Sequence, residues 1–124
     1  MSDELVSKVA VLDDFIEATG KIEGYHLTDL WDNRVLAVNT QNSTYTIHIL
    51  NTFTREVVIS GGKYFLQPEH CILSGSSIPG GSFLKIGWIG IGMCLEIYSK
   101  SKGRIVTSPV KSVSFGGQES GAVN

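Results

Sequence analysis

Three histidines and two cysteines, His26, His48, His70, Cys71 and Cys94, are the side chains of this 124-residue chain that could ligate a transition metal or pair as nucleophile and base. Their spacing works against both chemistries. His70 and Cys71 are adjacent, so in a strand they face opposite sides and cannot easily grip one ion. No Cys-x-x-Cys or His-x-x-x-His pair occurs, and nothing local brings His48 or His70 to a thiol. Two cysteines do not make a disulfide scaffold, and free cysteine is among the most buried residue types. The expectation is therefore two reduced, buried thiols, with no metal and no cofactor.

Carboxylates offer little more. The chain beyond residue 33 carries Glu56, Glu69, Glu96 and Glu119, and only Glu96, between Leu95 and Ile97, sits in an apolar setting. Strand alternation turns it away from those two neighbours, toward solvent or a salt bridge. General acid–base work needs carboxylates converging in a cleft, so no catalytic residue emerges and the protein reads as a non-enzyme. Basic residues cluster once, at Lys100-Ser101-Lys102-Gly103-Arg104, where a hairpin tip is expected. Together with Lys85 and Lys111 they define an alternative function, the binding of an anionic ligand such as a nucleotide or nucleic acid. Only Tyr98 accompanies them as an aromatic, and turns are commonly charged simply to stay wet. A net charge of −2 also excludes a globally basic nucleic-acid binder.

Glycine is the other signal. Residues 75–97, GSSIPGGSFLKIGWIGIGMCLEI, interleave Gly80, Gly81, Gly87, Gly90 and Gly92 with large apolar side chains. A phosphate-binding loop would need Gly-Lys-Ser/Thr before a helix, which is absent, and Gly87, Gly90 and Gly92 reverse the dinucleotide-binding spacing. Ser77-Ile78-Pro79-Gly80 is similar to half of the turn found in cyclic-dinucleotide barrels of the PilZ type. Gly75 stands where that turn carries an acid or amide, and no arginine pair precedes it, so no residue is carried over. Glycine at this density disfavours a helix and marks bends, bulges or close backbone approach in strands.

The elements that must position these residues divide the chain in three. Residues 3–18 have helical period, with Leu5, Val9, Leu12 and Ile16 on one face, and Thr19-Gly20 as a stop, predicting one N-terminal helix within 1–20. Residues 21–33 read as a connector pinned by its aromatics. From 34 to 115 the period becomes two, with candidate strands at 34–40, 44–51, 55–60, 69–74, 83–87 with 92–99, and 104–115 broken at Pro109. Short strands, tight turns and no intervening helix predict a mainly β fold: a small antiparallel β-barrel of about six strands, one domain, with 116–124 as a disordered tail. The central stretch has apolar residues on both parities. Leu84, Ile86, Trp88, Ile89, Ile91 and Met93 exceed what one strand face can bury, and the first five are expected to form an interface. The preferred function is thus a non-enzymatic barrel that assembles with itself, most simply as a dimer, or with a protein partner.

Charge is asymmetric, −6 over residues 1–33 and +4 over the rest. The acidic start does not resemble a secretory signal, and the run from Ile86 to Leu95 is too short to span a membrane, so a cytoplasmic protein without membrane contact is expected. The blocks GGKYF at 61–65, SGSSIPGGSFLKIGWIGIGM at 74–93 and TSPVKSV at 107–113 together resemble a group of small uncharacterised bacterial proteins. That resemblance implies no activity.

Overall fold

The computed structural model describes residues 24–116. The helix expected within 1–20 and the tail from 117 onward lie outside the described residues. In chain order the strands are β1 (Gly24–His26), β2 (Val35–Thr40), β3 (Thr44–Asn51), β4 (Glu56–Gly61), β5 (Phe65–Ser77), β6 (Leu84–Ile86), β7 (Trp88–Gly90), β8 (Cys94–Ser99) and β9 (Gly103–Ser114). A 3-10 turn, Leu27–Asp29, follows β1.

Six of these strands close a barrel. β2, β3, β4, β5, β8 and β9 are each hydrogen-bonded antiparallel to the next, and β9 returns to β2 through the pairs Ala37–Ser114, Val38–Val113 and Asn39–Ser112. Closure removes the exposed strand edges that a sheet of this size would otherwise have to protect. Alternation dictates what goes inside. In β3, Tyr45, Ile47 and Ile49 are buried while Thr44 and Thr46 face out. Val57 and Ile59 of β4, Leu73 of β5, and Leu95 and Ile97 of β8 complete the same core.

Two expected boundaries change. The strand expected at 69–74 runs from 65 to 77, through Pro68, which lies in the half of β5 that β8 does not reach. The strand expected to break at Pro109 continues through it, because the β8–β9 ladder shifts register at that end and no regular partner is lost.

The segment between β5 and β8 leaves the barrel and returns. β6 takes the place along β5 that β4 vacates, pairing Gly75–Ile86, Ser76–Lys85 and Ser77–Leu84. β7 then pairs with β1 in a two-stranded ribbon. This ribbon and the 3-10 turn after β1 cover part of the barrel, since Leu27 and Ile89 join its core. At Gly75 the two backbones meet so closely that a Cβ would strike the Lys85 carbonyl.

Gly75→Ala should therefore cost about 1–3 kcal/mol, the range for overpacking a filled site. At Gly116 a Cβ would meet nothing within 4 Å and the backbone is not left-handed, so alanine there should cost less. Ile47→Ala should cost about 2–5 kcal/mol as a core deletion. Urea denaturation of the three variants checks the order.

Candidate functional site

The β6–β7 excursion is pinned from below by one buried hydroxyl. Ser76 Oγ donates to the Trp88 carbonyl at 2.5 Å and accepts from the Gly90 N–H at 3.1 Å. Gly87, at φ +71°, turns the chain between the two strands, and a Cβ on Gly90 would collide with Trp88 and Met93. Trp88 is thereby fixed on the outside of the barrel, with the His26 ring against it edge-on at 4.7 Å and Lys85 Nζ 4.4 Å from the ring centre.

The five expected interface residues do not share one environment. Ile89 is fully buried in the molecule's own core, a correction to its assignment as an interface residue. Ile91 packs partly buried against that core. Both parities of the segment are apolar because the ribbon has a barrel-facing side of its own. Leu84 and Trp88 are half-buried, and Ile86 is 62% exposed.

Beside Ile86 lies a cleft of about 130 Å³, whose lining includes His26, Thr28, Thr52, Phe53 and Arg55. The β3–β4 turn that forms one wall is held by Asn51, whose Oδ1 accepts the N–H groups of Phe53 and Thr54 at 2.9 Å each. Asp32 Oδ1 accepts the Thr52 N–H at 2.9 Å. Phe53, at the tip, is 82% exposed. Neither Phe53 nor Arg55 stood out in the sequence, where 51–54 read as a plain turn and Arg55 as the start of a strand. The only signal was the absence of glycine at the end of that turn.

The expected basic cluster is dispersed and largely engaged. Glu69 receives Lys102 Nζ at 2.6 Å, Ser101 Oγ at 3.1 Å, and the Ser99 hydroxyl, while the Lys102 N–H donates to Ser99 Oγ at 3.0 Å. These bonds tie the β8–β9 hairpin to β5, and Lys102 with Ser99 holds the Glu69 carboxyl below its usual range. Arg104 grips Glu96 with two parallel bonds of 2.9 Å. Lys100 is exposed beside Tyr98, on a separate cleft of about 500 Å³ that also includes His70 and Ile72. Lys85 lies over Trp88, and Lys111 is exposed near the far end of β9. Arg34, outside the cluster, lies between the rings of Trp31 and Phe115 at 4.0 and 4.3 Å.

Glu96 is only 7% exposed, on the barrel's outer face. Arg104 lowers its pKa against the opposing effect of burial, with Ser77 assisting. A depressed carboxyl contributes stability above the ordinary carboxylate range and loses it as pH falls through the folded value. Arg104→Met should thus destabilise the protein at pH 7, and the deficit should shrink as pH falls through and below the ordinary carboxylate range, as Glu96 takes up its proton. Thermal melts of both proteins across that range check this.

The thiols match their expected burial. Cys71 and Cys94 are both buried and unbridged. Burial, reinforced by the Glu69 charge, pushes Cys71 up to about 11, and burial with Glu96 raises Cys94. His26, His48 and His70 approach Trp88, Asn33 and Glu56 respectively. No group of three His, Cys, Asp or Glu side chains that could hold a metal occurs among the described residues. Both thiols are neutral at pH 7, so under native conditions they should label far more slowly than in urea, as a chromogenic disulfide reagent would show.

Among the described residues no helix is long and apolar enough to cross a membrane. The chain matches no family model, no curated protein and no solved structure.

Proposed function

We propose that the protein is a non-enzymatic β-barrel binding module that acts by association, first with a second copy of itself, through the face built from β6, β7 and the β3–β4 turn. The observation that carries this reading is the pair Phe53 and Ile86, both largely exposed on the rim of one cleft. Single exposed apolar residues are ordinary on a monomer, but a group continuing into a half-buried tryptophan has the composition of an interface centre. Lys85 and His26 frame Trp88, a polar border of the kind that surrounds such centres. A two-fold contact would let one patch meet its own copy.

The alternative, an anion binder through Lys100, Lys102, Arg104, Lys85 and Lys111, has less behind it. Lys102 and Arg104 already hold carboxylates, and Lys85 is stacked on an indole. Using the pairs for a ligand would strip Glu69 and Glu96 of their partners.

Sedimentation at micromolar concentration is expected to show a species larger than the monomer. Ile86→Glu or Phe53→Glu should shift it to monomer, and at a dilution where the wild type is also monomeric the melting temperatures should agree, because both side chains stand in solvent. A monomeric wild type, or variants that associate unchanged, would overturn the self-association.

A further inference from the structure

Arg55 is held in place more firmly than its own side-chain bonds explain. Its N–H donates to the Asn51 carbonyl and its carbonyl accepts from the Leu73 N–H, both at 2.9 Å. Between them the backbone is at φ +68°, in the left-handed region that an L side chain enters at a cost. Glycine or asparagine would close this turn without strain. Local preference therefore argues against arginine here, and strained positions that persist are characteristic of functional sites.

The side chain is not used by the fold either. Among the described residues Arg55 makes no ion pair. Its Nε is shielded from solvent and has no hydrogen-bond partner there. Arg104, by contrast, spends its fork on Glu96. The outer nitrogens of the guanidinium likewise make no bond to the described residues, and these are the donors an acceptor brought from outside could meet.

The cleft that Arg55 lines suits one kind of acceptor. No carboxylate lines it, and His26, Thr28 and Thr52, which carry side-chain donors, line the same cleft. Asp32, which reaches the same turn, is engaged with the Thr52 N–H. A cavity of about 150 Å³ accommodates a benzene ring, so about 130 Å³ takes a single anionic head and not a nucleotide, which needs a pocket of about 300 Å³ or more. The rim is apolar, formed by Phe53 and Ile86. A planar carboxylate meets the guanidinium fork with two parallel bonds, while an attached hydrocarbon lies on that rim.

We propose that the cleft at Arg55 binds a carboxylate carried on an apolar group, either a short free organic acid or the carboxyl terminus of a peptide ending in an apolar residue. The site does not require the barrel to self-associate, and because it shares the Phe53 and Ile86 rim with the proposed self-association face, ligand and second copy compete for it.

The test follows the Arg55 Nε–H resonance of the full chain by NMR, identified by its loss in Arg55→Lys. Hexanoate and N-acetyl-leucyl-leucine should each shift it saturably, N-acetyl-leucinamide should not, and inorganic phosphate should bind more weakly than hexanoate. A dipeptide advantage of about tenfold or more assigns the site to a peptide terminus, and equal affinities to a free acid. Arg55→Gly, which removes the strain, should melt no lower than wild type yet abolish binding. No saturation by about 50 mM hexanoate, phosphate binding as tightly, full binding by Arg55→Gly, or a marked loss of stability in that variant would each overturn the proposal. If the pocket fails while Ile86→Glu still dissociates an oligomer, only the carboxylate site falls.

Discussion

The meeting of two backbones at Gly75 is the constraint on which the outer architecture depends. β5, with thirteen residues, is more than twice as long as β4 and outruns it. Its second half needs a partner on that edge, and β6 supplies one only because position 75 has no side chain. Once β6 is seated, Ser76 can reach the Trp88 carbonyl, β7 is fixed, and β1 has a strand to pair with. Arg55 sits where β4 gives way to β6: the Leu73 N–H donates to its carbonyl, and the Gly87 N–H to that of Ser74. The apolar face and the cleft beside it are thus both products of one missing Cβ.

The charged side chains do a different job, fastening the outside of the barrel across its seams. Glu69 on β5 gathers the hairpin between β8 and β9, and Glu96 on β8 holds Arg104 on β9. Hydrogen bonds to ionised groups are stronger than neutral ones, so a few suffice where the strands are short. A sequence with three bases within five residues looks like a ligand site until two of them, Lys102 and Arg104, are traced to their acids.

How much of this was legible follows from what each signal depends on. Period two is a local property, so β2, β3 and β4 stood within a residue of their expected bounds, and closure followed from counting strands and edges. The residues 65–68 were missed because Leu66, Gln67 and Pro68 all face solvent in a half-strand with one neighbour, which erases alternation. Ile89 was misassigned because strand parity cannot distinguish a solvent face from a face covered by the chain's own ribbon. Arg55 was invisible for a further reason: a left-handed backbone angle is imposed by bonds to Asn51 and Leu73, and no residue type at position 55 announces it.

The order of strands in the barrel has one more consequence. Every neighbouring pair is consecutive along the chain apart from the β6–β7 excursion, except the pair that closes the ring, where Asn39 bonds to Ser112 across 73 residues. That seam is latched by Ser108 to Thr40 and, beside it, by Phe115 packed on Tyr25 and Arg34. Local pairings form without large loop entropy, whereas the seam must bring distant segments together, so it is assembled last and released first. A barrel opened there unrolls into a curved sheet with its meander intact and two bare edges, β2 and β9. Those edges are complementary to each other, so two opened molecules could exchange them and close as an intertwined pair.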